Sequence, residues 1–167
     1  MASKGYINTD TMEVKSVAAA KGSFVLAPDG GIAMSVRGRG DKFWLLRLAG
    51  KGSIGQMDPV LDANMGILTL GAPWWSVECH PPVVMSADSL GVGSLVFTDE
   101  GQFLVAVNPV SLEKMLVRFQ NGDVFQVASG AAYLVSTIWK ARCMREDDVV
   151  VSFIFDGRPD SLIAMID

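Results

Sequence analysis

Histidine occurs once in this chain, at His80, and cysteine twice, at Cys79 and Cys143. A zinc centre needs three or four ligands converging on one point, and a disulfide framework needs several cysteine pairs. Neither can be assembled from this inventory. Cys79 and His80 are neighbours, and adjacent side chains on a strand point to opposite faces, so His80 cannot serve Cys79 as a base. The pair reads instead as a core cysteine followed by a histidine entering the Pro81-Pro82 turn. Serine catalysis lacks its Gly-x-Ser-x-Gly elbow. No phosphate-binding loop of the Walker type occurs, and Gly38-Arg-Gly40 lacks the third glycine of a dinucleotide fingerprint. Carboxylates cluster at Asp99-Glu100, at Glu146-Asp147-Asp148, and at Asp156 and Asp160. They read as solvated turns, and their spacing fits no EF-hand loop. The expectation is a protein that is not an enzyme, with no catalytic residue, metal or cofactor.

Long hydrophobic runs are missing too. The longest uncharged stretches, 63–77 and 124–139, fall short of the roughly 20 residues of a spanning helix. Both are interrupted by glycine or polar residues, so no membrane span is expected. The opening MASKGYINTDTME has no apolar core of the signal-peptide kind, and no Asn-x-Ser/Thr sequon occurs. With two cysteines and no disulfide pattern, a reducing cytoplasm is the expected location. Charged residues make up only 19% of the chain against 50% hydrophobic, which points to a packed core with apolar surface left for an oligomer contact. The net charge of −4 hides an asymmetry: residues 1–56 carry eight Lys/Arg against four Asp/Glu, and residues 57–167 carry six against fourteen. An acidic whole argues against bulk nucleic-acid binding, while the basic first third leaves room for a local patch.

The abundant signal is short alternating apolar runs punctuated by Gly, Pro and Asp. They predict strands at 24–27, 32–37, 43–49, 53–57, 66–70, 74–79, 83–86, 95–98, 103–107, 115–119, 124–128, 132–140, 149–155 and 162–166. Pro28-Asp-Gly-Gly31 is a hairpin signal between the first two. Only Asp10-Thr-Met-Glu13 suggests a helix, as a capping box opening a short segment that ends near Gly22, although Val14 and Val17 would also suit an edge strand. Strands at this spacing predict one all-β domain over 1–167, an antiparallel β-sandwich or barrel. It has an N-terminal arm or short helix over 1–22 and C-terminal strands over 141–167.

Two stretches look alike: WLLRLAGKGSIGQM, from Trp44 to Met57, and SLVFTDEGQFLVAV, from Ser94 to Val107. Setting Gly52 against Gly101, an offset of 49, brings Leu48 onto Phe97, Ile54 onto Phe103 and Leu70 onto Phe119. With one insertion, Val84-Met-Ser86 falls on Leu134-Val-Ser136. The reading is an internal repeat with copies at about 43–86 and 94–136, a supersecondary unit stacked on its own copy.

The glycine pattern carries a resemblance. Leu48-Ala-Gly50-Lys-Gly52-Ser-Ile54, Gly66-Ile-Leu-Thr-Leu70, and Phe119-Gln-Asn-Gly122-Asp-Val-Phe-Gln-Val127 followed by Gly130 and Leu134 resemble the altered-inheritance-of-mitochondria proteins. Their fold is likened to the tryptophan RNA-binding attenuation protein (TRAP). The match covers about residues 42–137. It departs at Asp99-Glu-Gly101, at Gly71-Ala-Pro73 with His80-Pro-Pro82, and in lacking a clean third copy. The resemblance implies a TRAP-like β-sandwich, commonly a homo-oligomer, with no catalytic residues to transfer.

Two features are candidate binding surfaces. Arg37, Arg39, Lys42, Arg47 and Lys51 lie beside Phe43 and Trp44, and cations interleaved with aromatics suit stacking on bases and pairing with phosphates. Period 2 would put Arg37 and Arg39 on one strand face. Pro73-Trp74-Trp75 and Phe43-Trp44-Leu45-Leu46 are apolar at successive positions, which requires both faces of the strand to be covered. Phe43, Trp44, Trp74 and Trp75 are therefore the expected oligomer or ligand contacts. The leading expectation is a non-enzymatic, self-assembling binding or scaffolding module. The alternatives are a TRAP-like ring that binds RNA or a small ligand through 37–51, and a viral or phage structural β-sandwich; a small hydrolase built on a β-barrel comes last, because one histidine and scattered carboxylates offer little to build with.

Overall fold

The computed structural model of the chain describes residues 12–27, 31–49, 54–71, 74–145, 148–155 and 163–166. It is all-β with antiparallel sheets. Among the described residues no helix is long and apolar enough to cross a membrane.

The strands are β1 (Glu13–Ser16), β2 (Phe24–Leu26), β3 (Ile32–Arg37), β4 (Phe43–Ala49), β5 (Met57–Pro59), β6 (Gly66–Gly71), β7 (Trp74–Cys79) and β8 (Val83–Ser86). They continue as β9 (Leu95–Thr98), β10 (Gly101–Val107), β11 (Lys114–Arg118), β12 (Val124–Gln126), β13 (Ala132–Ser136), β14 (Trp139–Arg145), β15 (Asp148–Phe155) and β16 (Ile163–Ile166). Two sheets have six strands and one has four. The first six-stranded sheet runs β1-β6-β2-β3-β4-β5, and the second runs β8-β13-β9-β10-β11-β12. In chain order these are the same sheet built twice. The strand that follows each sheet, β7 or β14, leaves it, and the two pair with each other in the third sheet, flanked by β15 and β16.

This repeat has a different frame from the one at offset 49. That frame equates β4 with β9, whereas the sheets make β9 the counterpart of β2. The strands of 43–86 are spread over all three sheets, while those of 94–136 lie in one. At an offset of 71, Ser23-Phe-Val-Leu26 falls on Ser94-Leu-Val-Phe97, and the matched strands share their inward and outward positions. Phe24 and Leu95 face the common core, while Val25 and Val96 belong to two separate outer clusters.

Of the two readings of the N-terminal segment, the structure has the edge strand and not the helix. Residues 13–16 form β1, an edge strand antiparallel to β6, and 17–20 turn back beneath it. Asp10, the supposed cap, lies outside the described residues. Val14 pairs with Leu68, and Val17 is fully buried in the outer cluster of the first sheet. Pairing and burial of this kind outweigh a two-residue capping signal. The run 132–140 divides between β13 and β14, and the hairpin anticipated around residue 30 is present as β2–β3.

Alternation decides the packing. On β3, Ile32, Met34 and Val36 face the second sheet, as do Leu46 and Leu48 of β4. Leu104 and Ala106 of β10 answer them, with Val117 of β11 and Phe119 just beyond it. Trp139 and Phe155 of the third sheet close one side of this core. The Trp139 ring lies 6.2 Å from that of Phe119 and 5.9 Å from that of Phe155, and its Nε1–H donates to the Gly93 carbonyl at 2.8 Å.

The two sheets are also clasped through their backbones. The β11–β12 turn enters the first sheet, where the Arg37 N–H donates to the Gly122 carbonyl at 3.1 Å. The matching β4–β5 turn enters the second, where the Val107 N–H donates to the Gly55 carbonyl at 2.8 Å. Each turn lies against a second glycine: Gly122 beside Gly22, and Gly55 beside Gly93. Gly122 has φ +72, and a Cβ there would lie 2.8 Å from the Ser35 carbonyl oxygen. Gly55 has φ +79, and its Cβ would lie 2.9 Å from the Val105 carbonyl oxygen. Only glycine serves both conformation and space.

Gly130 has nearly the same φ, +73, with nothing within 4 Å of a built Cβ. Gly130→Ala therefore isolates the cost of the conformation, about 1 kcal/mol, whereas Gly122→Ala adds a backbone collision and should cost about 3 kcal/mol. Denaturant midpoints of the two variants measure the difference, and equal midpoints would contradict the clasp.

Candidate functional site

The basic stretch does not form one patch. Arg37 ends β3, and Arg39–Asp41 is a tight turn with Gly40 at φ 70, so period 2 does not continue from Arg37 to Arg39. The Arg37 guanidinium pairs with the Asp41 carboxylate four residues on. Lys42 is exposed between that turn and β4. Arg47 points outward from β4 and donates from Nη2 to the Asp58 carboxylate on β5 at 2.6 Å. Lys51 lies outside the described residues. Two of the five cations are thus already neutralised by carboxylates, Asp41 of the adjoining turn and Asp58 of the next strand, for which alternating sequence position left no signal.

The aromatics divide as follows. Phe43 packs on the outer cluster of the first sheet, made by Val17, Ala20, Val25, Ala33, Leu45 and Ile67. Trp44 packs on the opposite side, against the inter-sheet core. Both faces of β4 are covered, Leu45 in the outer cluster and Leu46 in the core. Trp74 and Trp75 occupy β7 positions paired with Met144 and Cys143 of β14. Cys79, anticipated in the core, is exposed instead. It is the last residue of β7, opposite Trp139, where the strand runs out to the His80-Pro-Pro82 loop. Among the described residues no three His, Cys, Asp or Glu side chains lie close enough to hold a metal ion.

Among the described residues lie two concavities of note. One is a cleft of about 470 Å³ between the halves, where Gly38 and Trp44 face Asn108, Glu113, Met115 and Phe125. A Cβ at Gly38 would meet the Trp44 indole nitrogen at 3.1 Å. The other is a cavity of about 530 Å³ on the outer face of the first sheet, lined by Ala33, Leu45, Arg47, Asp58, Val60 and Met65. Both fall within the size range of small-molecule sites. The second is mainly apolar and has the Arg47–Asp58 ion pair in its wall. Sequence reasoning missed it because its walls come from four segments far apart in the chain.

No family model, curated protein or solved structure matches this chain.

Neutralised cations bear on nucleic acid directly, since affinity for a polyanion rises with the number of phosphates paired to free Lys and Arg. Retention of poly(U) on nitrocellulose at 0.15 M salt should equal that of albumin. Retention that falls with a log–log salt slope of three or more would mean that the Arg37–Asp41 and Arg47–Asp58 pairs open to receive phosphate.

Proposed function

We propose that the chain is a non-enzymatic β-sandwich module that associates with copies of itself and acts by binding. One observation carries this reading: the outermost strands of the second sheet have an uncovered apolar surface. Val83 and Val84 of β8 are 57% and 71% exposed, and Leu134, paired with Val84 across β13, is 46% exposed. Edge strands are ordinarily guarded by charge, proline or a bulge, because their free N–H and C=O groups template pairing with another chain. Val83-Val-Met-Ser86 has no charge along its length. Its counterpart β1 differs, with exposed Glu13 and Lys15 on either side of Val14. An uncharged edge with adjoining valine and leucine suits a second copy of the same strand, related by a two-fold axis.

Kinship with TRAP-like proteins belongs to the same proposal and is supported by the glycine pattern and by the all-β, antiparallel architecture. A cytoplasmic location likewise remains part of the reading. So does the use of the module as a binding or scaffolding unit rather than a ring on RNA, which the paired cations favour.

Light scattering coupled to size-exclusion chromatography at micromolar concentration should give a dimer or larger assembly. Leu134→Asp and Val84→Asp should each weaken association at least about 100-fold, the effect of burying an unpaired charge at an interface. A monomeric wild-type chain at 50 µM, a test concentration of about the level where weak contacts persist, would remove the reading.

A further inference from the structure

The repeated topology allows each outward position of the first sheet to be read against its counterpart in the second. Arg47 pairs across the strands with Ala33, and Arg118 pairs in the same way with Phe103. Leu45 pairs with Asp58, and Leu116 with Phe125. Val25 pairs with Ala33, and Val96 pairs with Phe103. Three independent pairings therefore fix the same equivalence. Ala33 stands where the second half has Phe103, and Asp58 where it has Phe125.

In the second half those two phenyl rings fill the outer face. Their centroids are 5.6 Å apart in an edge-to-face arrangement. The Arg118 guanidinium lies over both, 5.4 Å from Phe103 and 5.0 Å from Phe125. In the first half both rings are missing, the arginine is retained as Arg47, and the space is the 530 Å³ cavity. The cavity is the mould of an aromatic pair that the other half supplies for itself.

We propose that this cavity binds a small neutral aromatic molecule of about two rings, held beneath the Arg47 guanidinium and carrying an O–H or N–H group. A guanidinium over a ring face favours an aromatic over a saturated ring of equal size. Apolar contact comes from Ala33, Leu45, Val60 and Met65. Asp58 and Asp62 place two carboxylates against one guanidinium in the lining, which disfavours an anionic ligand and offers acceptors to a hydroxyl or amine. The site lies on the opposite half from the β8 edge and does not depend on self-association.

The test is an amide-resolved NMR titration of the full chain with 2-naphthol and with its saturated counterpart, decahydro-2-naphthol. Saturable shifts centred on Ala33, Leu45 and Val60 are expected for naphthol, with the saturated alcohol about three- to tenfold weaker. Ala33→Phe restores the ring present in the second half and should weaken naphthol binding more than tenfold while the thermal midpoint holds or rises. If Ala33→Phe fails to fold, Asp58→Phe serves in its place. Leu134→Asp should leave naphthol binding unchanged, which separates this site from the assembly surface. The proposal is overturned by absence of shifts at those amides, by equal affinity for the two alcohols, or by undiminished binding in the filled variant. It is equally overturned if Ala33→Phe lowers the oligomeric mass, since the cavity would then be a contact between copies.

Discussion

The structure depends on a reciprocal exchange of turns. Each six-stranded sheet sends the turn between its last two meander strands into the other sheet, where a glycine carbonyl accepts a strand N–H. The contact is short-ranged and unforgiving: Gly122 and Gly55 sit within van der Waals reach of opposing backbone, with no room for a side chain. Two sheets facing each other through side chains alone could slide or rotate with modest loss, because apolar contact is non-directional. Backbone hydrogen bonds at two opposite corners remove that freedom, since a shift that keeps one corner breaks the other. The alignment of Met34 and Leu46 with Leu104 and Val117 follows from it. So does the seating of Trp139, whose hydrogen bond goes to Gly93, the glycine against which the Gly55 turn rests.

This arrangement explains which parts of the molecule were legible in the sequence. Strand positions were, because alternation such as Ile32-Ala-Met-Ser-Val36 records one buried face directly, and most strands fall within two residues of where it places them. The repeated strand order of the two six-stranded sheets was not legible in its frame. The Gly-x-Gly turn at 50–52 and the glycine at 101 attracted the alignment because turns of like composition score alike wherever they occur. The stronger match, Ser23-Phe-Val-Leu26 with Ser94-Leu-Val-Phe97, was obscured by loops of unequal length. The β2–β3 connection runs over five residues between paired positions, Leu26 to Ile32, and the β9–β10 connection over two, Thr98 to Gly101. The candidate cations failed as a group for another reason. Residues near in sequence were assumed to act together, yet Arg37 and Arg47 each meet a carboxylate whose proximity is created by a turn or by strand pairing.

The two halves also differ around the Arg47–Asp58 ion pair. Position for position, the second half sets Phe103 and Phe125 beneath an arginine, and the first has the arginine with alanine and aspartate in their places. A guanidinium carried on a partly buried sheet face is met in the second half by two rings and by the Glu100 carboxylate at 3.3 Å, the aromatic solution, and in the first by the Asp58 carboxylate, the ionic one. The aromatic solution fills its volume. The ionic solution satisfies charge and leaves volume over, since a carboxylate is smaller than a phenyl ring and alanine offers only a methyl group. A cavity is the necessary by-product.

The edges diverge in the opposite sense. β1 and β8 occupy the same place in the two sheets, and Val14 and Val84 are both exposed at about the same level, 70% and 71%. On β1 the neighbours Glu13 and Lys15 are charged, so a second strand docking there would have to strip water from both. On β8 the neighbours are Val83 and Met85, which carry no charge to desolvate. Duplication therefore yields one half with an open face and a guarded edge, and another with a filled face and an open edge. Because the clasp holds both halves in one frame, the open face and the open edge are kept on separate sheets.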